Sequence, residues 1–127
     1  MTEQFSGGVA VITGAASGLG AGLARQAAAL GMIVVAADVN LAGAQSIAAG
    51  IVASGGRAEA FACDVSRAEN LDALAAHVFQ RHGLVRLLVN NAGIETVGYT
   101  WDIPAERWDR TLAINVEIGR ASCRERV

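Results

Sequence analysis

Short runs of branched apolar residues alternate with alanine- and leucine-rich stretches along most of this chain, and glycine or aspartate marks most of the junctions. Val9–Thr13, reading VAVIT, is apolar at nearly every position and stops at Gly14, the pattern of a strand entering a tight turn. Without polar alternation it is expected to be buried on both faces, as a central parallel strand is. Residues 18–30 then bring alanine and leucine, good helix formers, and stop at Gly31 in the place of a helix C-cap.

The alternation repeats. Residues 33–37 read as a second strand ending at Asp38, Leu41–Ala53 as a helix closed by Ser54-Gly55-Gly56, and residues 57–63 as a third strand ending at Asp64. Ser66 and Glu69 have the spacing of a capping box, and Leu71, Leu74, Ala75 and Val78 follow at helical intervals up to Gly83. A fourth strand is expected over 85–89, then a loop over 94–103, then a helix with Pro104 as its first residue and Trp108, Thr111, Leu112 and Asn115 on one face. Strands and helices in this order predict the α/β class, a doubly wound parallel sheet covered on both faces.

Composition narrows the function. The chain has 127 residues, 53% of them hydrophobic, with a formal net charge of −2, which fits one compact domain and argues against nucleic acid as a partner. The start, MTEQFSGG, lacks the basic n-region of a secretory signal, and the apolar runs, such as 32–37, fall far short of a membrane span. A cytoplasmic location with no membrane partner is the expectation. Cys63 and Cys123 form no metal or disulfide pattern, and Cys63 is read as a small buried residue. His77 and His82 are read as surface residues suited to a helix C-terminus, and Trp101 as a loop residue bordering a substrate pocket.

The turn TGAASGLG, residues 13–20, places glycines at 14, 18 and 20 between a strand and a helix. Without a Cβ the backbone can approach a phosphate, and the helix N-terminus supplies free N–H groups and a positive dipole. Asp38 follows Gly20 by eighteen positions at the end of the second strand, near the offset of about 20 at which a carboxylate meets an adenosine ribose. The same carboxylate would repel a 2′-phosphate, and Val39-Asn40 offers no arginine to neutralise one, so NAD is favoured over NADP.

With TGAASGLG at 13–20, NNAG at 90–93, Asp64-Val65 and Asn115 within LAIN, the chain resembles the short-chain dehydrogenases/reductases from about residue 8 to 116. The resemblance implies a Rossmann sheet, N-terminal half only, with initial strand order 3-2-1-4. It implies that Gly14, Ser17, Gly18, Leu19 and Gly20 hold the pyrophosphate and adjacent ribose, and that Asp38 meets the adenosine ribose. Asp64 and Val65 would meet the adenine, and Asn91, Ala92 and Gly93 would lie beneath the nicotinamide ribose. Asn115 is the implied catalytic asparagine, distorting its helix and holding a water in the proton relay. Asn90 is read instead as a stabiliser of the strand end.

The resemblance also implies a tyrosine and lysine in YxxxK and a serine, all downstream of the asparagine. No lysine occurs in this sequence, and its one tyrosine, Tyr99, precedes Asn115. The last ten residues, IGRASCRERV, are the translation of ATC GGA AGA GCG TCG TGT AGG GAA AGA GTG, a string resembling a widely used short-read sequencing adapter. Residues 118–127 are therefore expected to be translated adapter, with Glu117 a junction residue and 1–117 a truncated cofactor-binding domain.

The expectation is an NAD-dependent oxidoreductase of small alcohols or carbonyls, homo-oligomeric when whole, while the chain as given would be poorly soluble and inactive. Two alternatives stand beside it: a catalytically silent NAD-binding regulatory module, and a 3-oxoacyl-carrier-protein reductase-like enzyme using NADPH.

Overall fold

A computed structural model describes residues 2–94 and 98–117. The proposed adapter segment, with Cys123, lies outside the described residues. A 3-10 turn, Thr2–Gln4, precedes four strands, β1 (Val9–Thr13), β2 (Ile33–Asp38), β3 (Arg57–Ala62) and β4 (Leu87–Val89). Between them run α1 (Gly18–Ala29), α2 (Leu41–Ala53) and α3 (Ala68–His82), and α4 (Ala105–Leu112) continues into a π-helical turn, Ala113–Glu117. The strands form one parallel sheet in the order β3-β2-β1-β4, the doubly wound Rossmann arrangement and the order the resemblance implied.

The pleat explains how an unbroken apolar run serves two layers. In β1, Val9 and Val11 join the core that packs beneath Leu71, Leu74 and Val78 of α3. Ala10 and Ile12 face the other way, onto Ala24 and Ala27 of α1 and Ala44 and Ile51 of α2. The contacts of α1 are almost wholly alanine, so that helix lies close on the sheet and brings its N-terminus against the end of β1.

Local differences from the sequence reading have physical causes. The Ser66–Glu69 capping box does not form: Arg67 is the N-cap without a side-chain bond, Ser66 Oγ donates to Asp64 Oδ1 at 2.6 Å, and Glu69 pairs with Arg67 at 3.3 Å. The nearer carboxylate has captured the serine. Pro104 is the N-cap of α4 rather than its first helical residue, and its carbonyl accepts from Arg107 N–H at 3.0 Å. Strand β4 starts two residues later than expected because its only partner among the described strands is β1, paired from Ala10–Leu87 to Ile12–Val89. No α4 residue is buried, and Trp108 and Leu112 are 42% and 49% exposed, so the predicted apolar face exists without a covering layer among the described residues.

Histidines 77 and 82 are half-buried and engaged rather than free surface residues. Both Nε2 atoms reach the Glu59 carboxylate of β3, at 3.2 and 2.8 Å, with Arg81 Nε at 3.4 Å and the His77 ring 4.9 Å from that of Phe61. Burial pulls the Glu59 carboxyl upward, but the bonds from His82 and His77 and the charges of His77 and Arg81 outweigh it and leave the group below its ordinary range. The cluster ties the end of α3 to the edge strand.

Candidate active site

A cleft of about 490 Å³ opens at the carboxyl ends of the strands, where ligands of open α/β sheets bind. Gly14, Ser17, Asp38, Asp64, Val65, Asn91, Ala92 and Gly93 all line it, so the fold gathers most of the residues singled out in the sequence. Cys63, Ile94, Arg110 and Ile114 line it as well and had not been singled out as site residues. Arg110 and Ile114 lie one turn apart on the same helix, a spacing that would have exposed both once Asn115 was placed.

The glycine turn is built by different constraints at each position. Gly14 has φ +67°, and a Cβ there would meet Ala92 Cα at 2.8 Å. Gly18 has φ +55° with open space where a Cβ would project, and Gly20 is buried against the Gly14 carbonyl. Ser17 is the N-cap of α1 with extended backbone and no capping bond from its hydroxyl. The first-turn N–H groups of α1 thus lack the usual side-chain acceptor, as a cradle for an anionic group would, although of the turn only Gly14 and Ser17 line the cleft and Gly18, Leu19 and Gly20 do not. Leu19 is 72% exposed beside it.

Strand end and turn are locked by Thr13 and Asn91. Thr13 is 1% exposed, and its Oγ1 accepts from the N–H groups of Asn91 and Ala92, each at 3.1 Å. Asn91 Nδ2 donates to the Thr13 and Gly14 carbonyls, each at 3.2 Å. The stabilising role read for Asn90 therefore falls to Asn91, and Asn90 is exposed. Thr13 went unnoticed in sequence, although it was the lone polar residue in a strand buried on both faces.

Asp38 lines the cleft at the end of β2. Its Oδ2 accepts from Ala16 N–H at 3.0 Å and its Oδ1 from Asn40 N–H at 2.9 Å, which orients the carboxylate and leaves lone pairs for a further donor. Asp64 is held below the ordinary carboxylate range by the Ser66 hydroxyl, against slight burial, with help from the Ser66 N–H and the charges of Arg67 and Arg110. Next to it the Cys63 thiol is pushed up to about 11 by burial and by the Asp64 charge, which makes it a packing residue and not a nucleophile.

Asn115 sits inside the π-helical turn. Its Oδ1 accepts from Ile94 N–H at 2.9 Å and its Nδ2 donates to the Ile94 carbonyl at 2.7 Å. The asparagine thereby clamps the chain just after NNAG to the end of α4. Among the described residues no Tyr–Lys pair accompanies it, in keeping with the absence of lysine.

Parallel order, glycine turn, carboxylate at the end of β2 and a cleft at the switch point define a nicotinamide-dinucleotide-binding α/β domain. The family model of short chain dehydrogenases matches residues 8–119, and the chain belongs to the short-chain dehydrogenase/reductase family. It is 39% identical over 113 residues to the D-threitol dehydrogenase of Mycolicibacterium smegmatis, covering 89% of this chain and 44% of that protein. To the cyclohexanol dehydrogenase of an Acinetobacter species it is 37% identical, covering 91% of this chain and 47% of that protein. A short-chain dehydrogenase/reductase from Burkholderia phymatum, solved in complex with NAD, superposes with a TM-score of 0.91 at 37% identity over 96% of this chain and 43% of that one. A metagenomic short-chain oxidoreductase in complex with NADP gives 0.91 at 36% identity over 96% of this chain and 56% of that one. The chain thus spans about half the length of the relatives it matches. No helix among the described residues is long and apolar enough to cross a membrane.

Proposed function

We propose that residues 1–117 are the cofactor-binding half of an NAD-dependent dehydrogenase acting on an alcohol or carbonyl compound. The observation that carries this reading is the carboxylate of Asp38, held at the mouth of the glycine turn by two backbone N–H groups. A ribose diol can donate to its free lone pairs, whereas a 2′-phosphate would meet its charge at short range. Gly14, Ser17, Gly18, Leu19 and Gly20 hold the pyrophosphate side, Asp64 and Val65 the adenine, and Asn91, Ala92 and Gly93 the nicotinamide ribose.

A nicotinamide dinucleotide held by these residues would supply the two-electron acceptor or donor. The alcohol carbon loses a hydride and its hydroxyl a proton, leaving a carbonyl. Asn115 does not itself line the cleft but orders the backbone of Ile94, which does, and from there it serves the proton path as its counterparts do in the family. The acid/base tyrosine, its lysine and the serine belong to the part of the enzyme beyond residue 117, which the proposal places in the full-length protein. The enzyme is cytoplasmic and assembles from identical subunits.

Residues 118–127 are, on this proposal, translated adapter, and Glu117 is the junction. The source DNA tests that directly: codons that differ from the adapter string would refute it, and the genuine reading frame would show a serine and YxxxK further on. Full-length protein made from that frame should oxidise secondary alcohols with NAD in preference to NADP. A protein that binds NAD but carries no YxxxK would favour the silent regulatory module instead.

A further inference from the structure

Among the described residues that line the cleft, Arg110 of α4 is the one basic side chain, and Asp38 and Asp64 bring two carboxylates to the same wall. Arg110 lies one turn ahead of Ile114, which is 8% exposed and packs in one core with Val65 and Leu71. Asn115 clamps the Ile94 backbone beside it, so the end of α4 is held against the cleft and carries Arg110 with it. Asp64 is only half engaged by the protein. The Ser66 N–H and hydroxyl both donate to its Oδ1, at 3.0 and 2.6 Å, and among the described residues nothing bonds to Oδ2. The Ser66 hydroxyl does most to keep this carboxyl ionised and the Arg110 charge adds to it, yet no ion pair joins the two among the described residues. A free acceptor and a free planar cation thus share one stretch of wall.

Resting on the NAD reading above, we infer that Arg110 is a cofactor-binding residue, its guanidinium covering the adenine face while Asp64 Oδ2 accepts from the adenine amino group. A guanidinium is planar and more weakly hydrated than an ammonium, and it stacks on flat π systems. The purine is such a system, and its amino group needs an acceptor of the kind that Oδ2 offers. The pyrophosphate has the uncapped N–H groups at the start of α1, so the arginine beside Asp64 is left for the base. The cofactor is then gripped by α4 as well as by the glycine turn and the end of β2.

The test uses the full-length protein, titrated with NADH and with adenosine, which carries no phosphate, as a competitor of NADH. Arg110→Ala should weaken NADH by about five- to tenfold and raise the adenosine inhibition constant by a similar factor, with the Tm of the free protein within about 2 °C of the wild type. Arg110→Lys keeps a charge without the plane and should recover only a minor part of the loss. Arg107→Ala, on the same helix but outside the cleft, should stay within about twofold. Unchanged NADH binding in Arg110→Ala, full recovery with lysine, or an equal loss in Arg107→Ala would overturn the inference. So would an NADH loss with adenosine unaffected, which makes Arg110 a phosphate contact, or failure of adenosine to compete at all in the wild type. Wild-type protein that binds no NADH removes the NAD reading and this inference together, whereas a wild type that binds NADH no better than Arg110→Ala removes this inference alone.

Discussion

Gly20 and Gly22 lie two residues apart in α1, and alanine at the two positions should have opposite effects. A Cβ on Gly20 would overlap the Gly14 carbonyl oxygen and come within 2.5 Å of Asn91 Nδ2. Neither can yield cheaply, because that carbonyl accepts from Asn91 at 3.2 Å and Gly14 already abuts the Ala92 backbone. Overpacking of this kind costs about 1–3 kcal/mol, and here the obstacle is backbone, which points to the upper end. Helix propensity returns at most about 1 kcal/mol, leaving a net loss of about 2 kcal/mol. At Gly22 a Cβ meets nothing within 4 Å, so alanine there gains about 0.5–1 kcal/mol.

In a full-length protein of the size of the relatives, each kcal/mol moves Tm by about 2–4 °C. Gly20→Ala should therefore melt about 4–8 °C lower and Gly22→Ala about 1–4 °C higher. NADH titration gives a second reading. Displacing the Gly14 turn should weaken binding by about tenfold, equivalent to about 1.4 kcal/mol, while Gly22→Ala stays within about twofold. A Gly20→Ala protein with wild-type Tm and NADH affinity would refute the close approach of α1 to the turn.

Thr13→Val removes the acceptor of the Ala92 N–H and one of the two acceptors of the Asn91 N–H, which keeps the Val89 carbonyl at 3.0 Å; an orphaned donor costs about 1–3 kcal/mol, so denaturant melts should show a loss above the scatter of about 0.5 kcal/mol for neutral substitutions. Asp38→Ser should weaken NADH and strengthen NADPH in paired titrations; an unchanged preference would remove Asp38 from the ribose. Glu59 has a folded-state pKa below its unfolded value of 4.5, so its contribution is complete above about pH 4.5 and disappears as the pH falls through the folded value. Stability curves of wild type and Glu59→Gln should accordingly stand apart above pH 4.5 and converge as the pH falls below it, and a gap that stays constant into acid would contradict the cluster.

Strand positions and the glycine turn were legible in sequence because each rests on a local signal, unbroken β-branched runs, helix breaks at glycine and a turn that only glycine can make, whereas the strand order came with the family resemblance. Asp38 was legible from its place at the end of the second strand and its offset from the glycine turn, while Asp64 and Asn91 were reached through the family motifs; all three line the cleft because the strand ends converge. What stayed hidden depends on pairs distant in sequence. Nothing local to His77 and His82 points to Glu59 on another element, and nothing in Thr13 announces the two N–H groups it serves after β4. The capping box failed through local competition, because the Ser66 hydroxyl bonds to the Asp64 carboxylate at 2.6 Å and Arg67, not Ser66, takes the N-cap position. Residue types alone could not divide the roles of Asn90 and Asn91; just past β4 the first is exposed and the second bonds to Thr13 and Gly14.

The central claim is that the cleft between Gly14, Asp38 and Asn91 holds a nicotinamide dinucleotide with its ribose on Asp38. Calorimetric titration of the full-length protein with NADH, and then with NADPH, tests it most directly. The account predicts one saturable site per chain with NADH bound at least about tenfold more tightly than NADPH. Failure of both dinucleotides to bind, or tighter binding of NADPH, would contradict it.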